Sequence, residues 1–190
     1  MTFNKKVVIL VFLGAALIFI LSSCTPGNRT ETSLSTYWDE SQNIIQTNDL
    51  LRLQQKVPFT IVVPMYLPKT IPASEQPDYT FGPSPGSGTE TMVKIVYNQL
   101  MSACSCSIII NEYSSPSIWS PNEDMEYLYL DISGIQVLES KGLTAVQVQG
   151  QPVDETTYYY GWNKNNVGFL VTLIAIDQLE ARKVVESMIK

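Results

Sequence analysis

Apolar residues in this chain fall into three kinds of stretch. There is one unbroken run near the start, a series of alternating runs through the middle, and a helical stripe at the end. Residues 91–98, TMVKIVYN, have period two, with Val93, Ile95 and Tyr97 on one face. Residues 104–113, CSCSIIINEY, place Cys104, Cys106, Ile108 and Ile110 on one face in the same way. The short connection between these runs predicts a hairpin. Further strands are predicted over 126–132, 135–139, 143–149 and 156–162. The asparagines of "NKNN" tolerate positive φ and suit a tight turn. Residues 167–176, VGFLVTLIAI, are nearly all apolar and predict a central strand covered on both faces. Asp177 then caps a helix, with Glu180 at the capping-box position. Leu179, Val184, Val185, Met188 and Ile189 form its stripe, which must pack on the sheet.

Ahead of the hairpin the signals are shorter. Trp38, Ile44 and Ile45 suggest a helical turn or two. Asn48 is a good N-cap for a helix over 49–56, with Leu50, Leu51, Leu53 and Val57 on its apolar face and Pro58 ending it. FTIVV, residues 59–63, predicts a short strand. The three prolines of "PMYLPKTIP" forbid regular structure. Residues 73–81 predict an edge strand, kept from the sheet centre by Pro77. "GPSPGSG" predicts a loop. The expected class is α+β: a curved, mostly antiparallel sheet with a short N-terminal helix and a C-terminal helix packed on it.

The unbroken run is residues 7–21, VVILVFLGAALIFIL, behind a positive head of Lys5 and Lys6. As a helix it reaches about 22 Å at roughly 1.5 Å per residue, whereas a full span needs about 20 residues. A short apolar run between a basic head and small residues is the layout of a secretory signal peptide. Its end, Leu21-Ser22-Ser23-Cys24, resembles a bacterial lipobox. That resemblance implies cleavage after Ser23 and diacylation of Cys24, and two acyl chains anchor stably where one does not. An uncleaved signal-anchor helix, with Cys24 a plain thiol, is the alternative. The expected organisation is a signal peptide over 1–23, a flexible tether over 24–36 and one domain over 37–190. The expected location is the membrane, lipid-anchored and facing out of the cytoplasm.

The chain has 12 Lys and Arg against 18 Asp and Glu, a net charge of -6, and loss of Lys5 and Lys6 leaves the mature part more acidic still. Nucleic acid demands clustered basic residues, so it is not an expected partner. Anionic lipid is equally poorly matched, which leaves the acyl chains as the membrane contact. There is no histidine. This removes His-based zinc sites, the Ser-His-Asp and Cys-His nucleophile systems, and the commonest general base. Beyond Cys24 only Cys104 and Cys106 remain. Core thiols, a strained disulfide in an oxidising compartment, and a redox or soft-metal pair all stay open for them, although a tetrahedral metal site needs about four ligands.

Two motifs carry a wider resemblance. "KVPFTIVVPMYLP" is similar to the opening of a DUF4367-type domain, a domain of unknown function: a short helix, Pro-Phe, a strand, then Pro-x-x-Leu-Pro. "GWNKNNVGFLVTLIAIDQLEARKVVESMI" is similar to that family's Trp, polar turn, apolar strand and closing helix. The resemblance implies a membrane-anchored extracytoplasmic domain and brings no catalytic signature and no cofactor. Three functions follow as expectations. The first is a non-catalytic interaction module, with Tyr158, Tyr160 and Trp162 of "TTYYYGW" sharing one strand face as its surface and a protein or lipid as partner; the same face serves equally as core. The alternative is a lipid or lipoprotein carrier, which needs an apolar cavity. An enzyme using paired carboxylates, from Glu123, Asp124 and Glu126 or from Asp154 and Glu155, is the weakest fit, since adjacent acids in loops are usually just solvated.

Overall fold

The computed structural model describes residues 37–39, 44–72, 74–84, 90–101, 104–116, 125–148 and 150–190. All of them belong to the compact unit Leu34–Lys190. Nine strands and two helices are defined among the described residues. The strands are β1 Tyr37–Asp39, β2 Ile44–Thr47, β3 Asp78–Pro83, β4 Thr91–Met101, β5 Cys104–Tyr113, β6 Tyr127–Ile132, β7 Ile135–Val148, β8 Gln151–Lys164 and β9 Val167–Ile174. Helix α1 is Leu50–Gln54, between β2 and β3, and helix α2 is Gln178–Ile189, after β9. The expected α+β class is the one found, and every strand pairing is antiparallel. The spatial order is β1-β2-β3-β4-β5-β9-β8-β7-β6. The sheet is thus two meanders, β1 to β5 and β6 to β9, joined where β5 pairs with β9. It is open, and β1 and β6 are its edges.

The register lines up one continuous apolar row. Tyr79 lies opposite Ile95, Ile95 opposite Ile110, Ile110 opposite Val171, Val171 opposite Tyr160, and Tyr160 opposite Glu139. All six side chains are buried, because period-two alternation puts each strand's larger apolar residues on the same side. Helix α2 lies on this face through Ala181, Val184, Val185 and Met188, and α1 adds Leu53 to the same core. Each fully buried Val, Leu or Ile contributes about 1.5–3 kcal/mol relative to an exposed one. On the opposite face Val96, Ile109, Tyr159, Leu170 and Thr172 are half-buried, while Leu138, Ser140, Thr157 and Ile174 are buried.

The hairpin of β4 and β5 has the expected bounds within a few residues, and Val93, Ile95 and Tyr97 are all buried. "NKNN" turns as expected, with Asn165 and Asn166 at φ of 52 and 61. Other expectations are corrected. The region of Trp38, Ile44 and Ile45 forms β1 and β2 rather than helical turns, because Ile45 gains a cross-strand partner in Phe81. Helix α1 is shorter than predicted and begins one residue later. Asp49, not Asn48, accepts from the Arg52 N–H at 3.0 Å as its N-cap. Pro77 precedes β3, which lies inside the sheet between β2 and β4 instead of at an edge. The two runs 135–139 and 143–149 are one strand, β7, and β8 is equally long. Residues 141–148 and 151–156 of that pair extend beyond both neighbours as a two-stranded arm. β9 is central but buried fully on one face only. At α2, Asp177 caps the Leu179 N–H at 2.9 Å, while Glu180 engages Tyr66 and Lys183, so no capping box forms; Leu179 is exposed.

The predicted strand over 59–63 is also absent as a strand. The segment is extended but joins no ladder. Its backbone is held by side chains instead: Gln54 Nε2 donates to Phe59 O at 2.7 Å, and Ile61 N donates to Gln54 Oε1 at 2.8 Å. Buried backbone groups must find partners, and one glutamine amide here does what a neighbouring strand would. The proline-rich stretch that follows is irregular, as expected. It is pinned to α2 by Tyr66, whose N–H donates to Ser187 Oγ at 3.2 Å and whose hydroxyl donates to Glu180. The Lys183 ammonium lies over the Tyr66 ring, 5.7 Å from its centroid.

Candidate functional site

The three aromatics expected to form an interaction surface do not point outward. Tyr158, Tyr160 and Trp162 are all buried on the helix-covered face. Trp162 stacks on Phe169 of β9, with centroids 4.9 Å apart and planes 5° from parallel. They are core, and the surface reading of these residues is corrected on that ground. Tyr160 Oη and Trp162 Nε1 are buried without a well-formed hydrogen bond. Tyr160, Leu173, Val184 and Val185 pack together in the core beneath the sheet. Cys24, Glu123 and Asp124 lie outside the described residues. Cys106 is buried on the Ile108 and Ile110 face and is disulfide-bonded; the side chain of Cys104 lies outside the described residues.

Leu51, Met65, Leu143 and Leu179 are exposed apolar residues, but three consecutive ones lie together at the β6 edge. Tyr127 is 57 % exposed, Leu128 44 % and Tyr129 61 %. The two tyrosines share the open face and meet edge to face, with centroids 6.0 Å apart. Leu128 stands on the other face, opposite Glu139. The strand is delivered by a tight turn. Ser133 and Gly134 both have positive φ, 54 and 81, and Asp131 Oδ1 accepts from the Gly134 N–H at 2.9 Å. That is the geometry two-residue hairpin loops favour. No described strand pairs with the outer side of β6.

Behind β6 runs an open groove of about 450 Å³, lined by Met125, Tyr127, Leu128, Ser140, Lys141 and Gln178, with Glu139 in its wall. Glu139 is 3 % exposed at its side chain, and Arg182 and Gln178 both donate to it. Arg182 donates from Nε to Oε2 and from Nη2 to Oε1, both at 2.8 Å, and Gln178 Nε2 donates to Oε1 at 2.8 Å. Burial pushes this carboxyl's pKa up. The hydrogen bonds from Arg182 and Gln178, with the Tyr160 hydroxyl beside them, outweigh burial and hold it below its ordinary value. Glu139 is therefore an ionised clamp between β7 and α2, with both oxygens occupied, rather than a free acid or base. Burial, with Glu139 next to it, pushes the Tyr160 hydroxyl well above its ordinary range.

A second carboxyl, Glu112, is fully buried on β5. Its Oε1 and Oε2 lie 2.9 and 3.2 Å from the Val62 N–H. Of the acids expected as a catalytic pair, Asp154 and Glu155 sit in the β7–β8 arm and Glu126 just ahead of β6. Glu112 and Glu139 stand on different strands with β9 and β8 between them. Among the described residues no group of three or more His, Cys, Asp or Glu is placed to hold a metal ion, and no helix is long and apolar enough to cross a membrane. No family model matches the chain, and neither a curated protein nor a solved structure matches it.

The residues that matter at this edge were readable in part. "YLYL", residues 127–130, is apolar on both faces of a strand that ends beside acidic positions, a pattern that suits an edge with something to cover it. Glu112 shares parity with Ile108 and Ile110, so "IIINEY" already places a carboxyl on the apolar face.

Proposed function

We propose that this chain is an extracytoplasmic lipoprotein, anchored through acyl chains on Cys24, whose domain is a non-catalytic interaction module that adds an extended segment of a protein partner to the β6 edge. The observation that carries the proposal is the exposure of Tyr127, Leu128 and Tyr129 together on the outermost strand of an open sheet. An edge strand offers a row of backbone donors and acceptors, and large side chains beside it supply contact area. Charge selects the partner's chemistry. Glu126 and Asp131 bracket the strand. A second copy paired antiparallel with Leu128 opposite Tyr129 would set Glu126 against Asp131, and like charges directly opposite are destabilising. A segment with apolar residues between two Lys or Arg fits instead. The DUF4367-type resemblance and the lipobox support the location, and the acidic body leaves attachment to the acyl chains.

The test has two arms. Palmitate labelling of the full chain is expected to vanish in Cys24→Ala; unchanged labelling removes the anchor. For the edge, the probe is a synthetic ten-residue peptide alternating Val and Thr between terminal lysines. Saturable shifts of the β6 amide resonances are expected, weakened about tenfold, or about 1.4 kcal/mol, by Tyr127→Ala with Tyr129→Ala. Equal response to a peptide with glutamates in place of the lysines, or no response, rejects the module.

A further inference from the structure

Glu112 is the buried carboxyl that the proposed function leaves unused. It sits on a strand flanked on both sides, with Val93 of β4 opposite it on one side and Phe169 of β9 on the other, both buried. The unladdered segment 59–63 touches it through the Val62 N–H. Among the described residues no cation makes a hydrogen bond or ion pair with it. Lys94 is on the opposite sheet face, being paired with Asn111. β9 carries no charged residue, and neither does the segment from Val57 to Pro64. The charged groups on the packed elements are Arg52 and Lys56 around α1 and Glu180, Arg182, Lys183 and Glu186 on α2, where Arg182 is engaged by Glu139 and Lys183 by Glu180. Its protonation is governed by burial, which raises its pKa, and by the Val62 N–H, which lowers it.

We propose that Glu112 is a pH-operated latch: neutral, it seals the segment 59–63 onto the sheet; ionised, it draws water and lets that segment lift. The reason lies in what can move. An ionised carboxylate in an apolar interior requires water or a counter-charge. β5 cannot shift toward solvent, because it is laddered to β4 along one side and to β9 along the other. The segment is outside every ladder, and among the described contacts its backbone is held by Gln54 and by Glu112 itself. Opening there hydrates the carboxylate while leaving the sheet intact, and the proton released goes to bulk water. The direction agrees with the burial: the carboxyl is pushed up to about 8 from 4.5. A folded-state pKa above the unfolded one means that closure is fully supported below about 4.5 and is lost as the pH rises through about 8.

The test is amide hydrogen exchange on the full chain between pH 6 and pH 10, corrected for intrinsic exchange. Protection at Ile61, Val62 and Val63 is expected to fall by up to about tenfold per pH unit between pH 6 and about 8 and to level off above it, while Val171 in β9 stays constant. Glu112→Gln, which keeps the shape and cannot ionise, is expected to abolish the slope. A flat wild-type profile, or the same slope in Glu112→Gln, overturns the latch. Should that variant not fold, the ¹³C resonance of the Glu112 carboxyl in the wild type decides. A titration midpoint at or above pH 7, moving together with the Val62 amide, supports the latch; a midpoint below 7 overturns it.

Discussion

Arg182→Met separates the clamp on Glu139 from the packing around it. Methionine keeps most of the side chain's apolar length and removes only the guanidinium, leaving a carboxyl with 3 % exposure and a single remaining donor among its described hydrogen bonds, Gln178 Nε2 at 2.8 Å. Breaking a buried ion pair from one side typically costs about 3–5 kcal/mol, because a buried charge is left uncompensated. Arg182 is 35 % exposed, so solvent already weakens its half of the pair and water reaches the vacated position. The expected loss is therefore about 2–3 kcal/mol at pH 7. With a urea m-value of about 2 kcal/mol/M, the unfolding midpoint moves down by about 1–1.5 M. Replacing both partners, Glu139→Met with Arg182→Met, removes the stranded charge and is expected to return the domain to within about 1 kcal/mol of wild type. The pH dependence carries an independent sign. In the wild type the Glu139 pKa is lowered, so its contribution is present above the ordinary carboxylate range and lost as the pH falls. Without Arg182 the burial effect is less opposed, protonation becomes the relief, and the deficit of the variant shrinks toward pH 4. A single-variant loss below about 0.5 kcal/mol, or a double variant less stable than the single, would refute this account of how α2 is fixed to the sheet.

Two further outcomes follow from local geometry. Gln54→Ala removes both hydrogen bonds that stand in for a strand neighbour at Phe59 and Ile61; a loss of about 1–3 kcal/mol is expected, read in urea, with faster amide exchange at Ile61 and little change in β9. Gly134→Ala puts a Cβ where φ is +81, although nothing stands within 4 Å to meet it. The expected loss is about 1 kcal/mol from the left-handed backbone alone, seen as a drop in Tm of a few degrees, and an unchanged Tm would place the turn's stability elsewhere.

The covered face of the sheet was legible because it obeys period two. Val93, Ile95 and Tyr97, and Cys106, Ile108 and Ile110, are buried in the order that alternation predicts. The same alternation in "TTYYYGW" could not say which face met the core, since Tyr158, Tyr160 and Trp162 make as good an interior as an interface. That choice was made by α2, which lies on their side. Segment 59–63 shows the opposite failure. Its β-rich composition fits a strand, but a strand exists only when another backbone lies beside it, and here Gln54 and Glu112 took that place. Glu139 and Arg182 are 43 residues apart and nothing local links them.

By itself, then, the sequence determined the elements whose signal is local: the β4–β5 hairpin, the "NKNN" turn, the Asp177 cap and the apolar stripe of α2, together with the excluded chemistry that a chain without histidine carries. Tertiary structure alone decided which strand became an edge, which aromatics were sealed, and which carboxyls lost their water. Periodicity is a property of neighbours along the chain, whereas burial, pairing and ionisation are set by whatever the fold brings across from elsewhere.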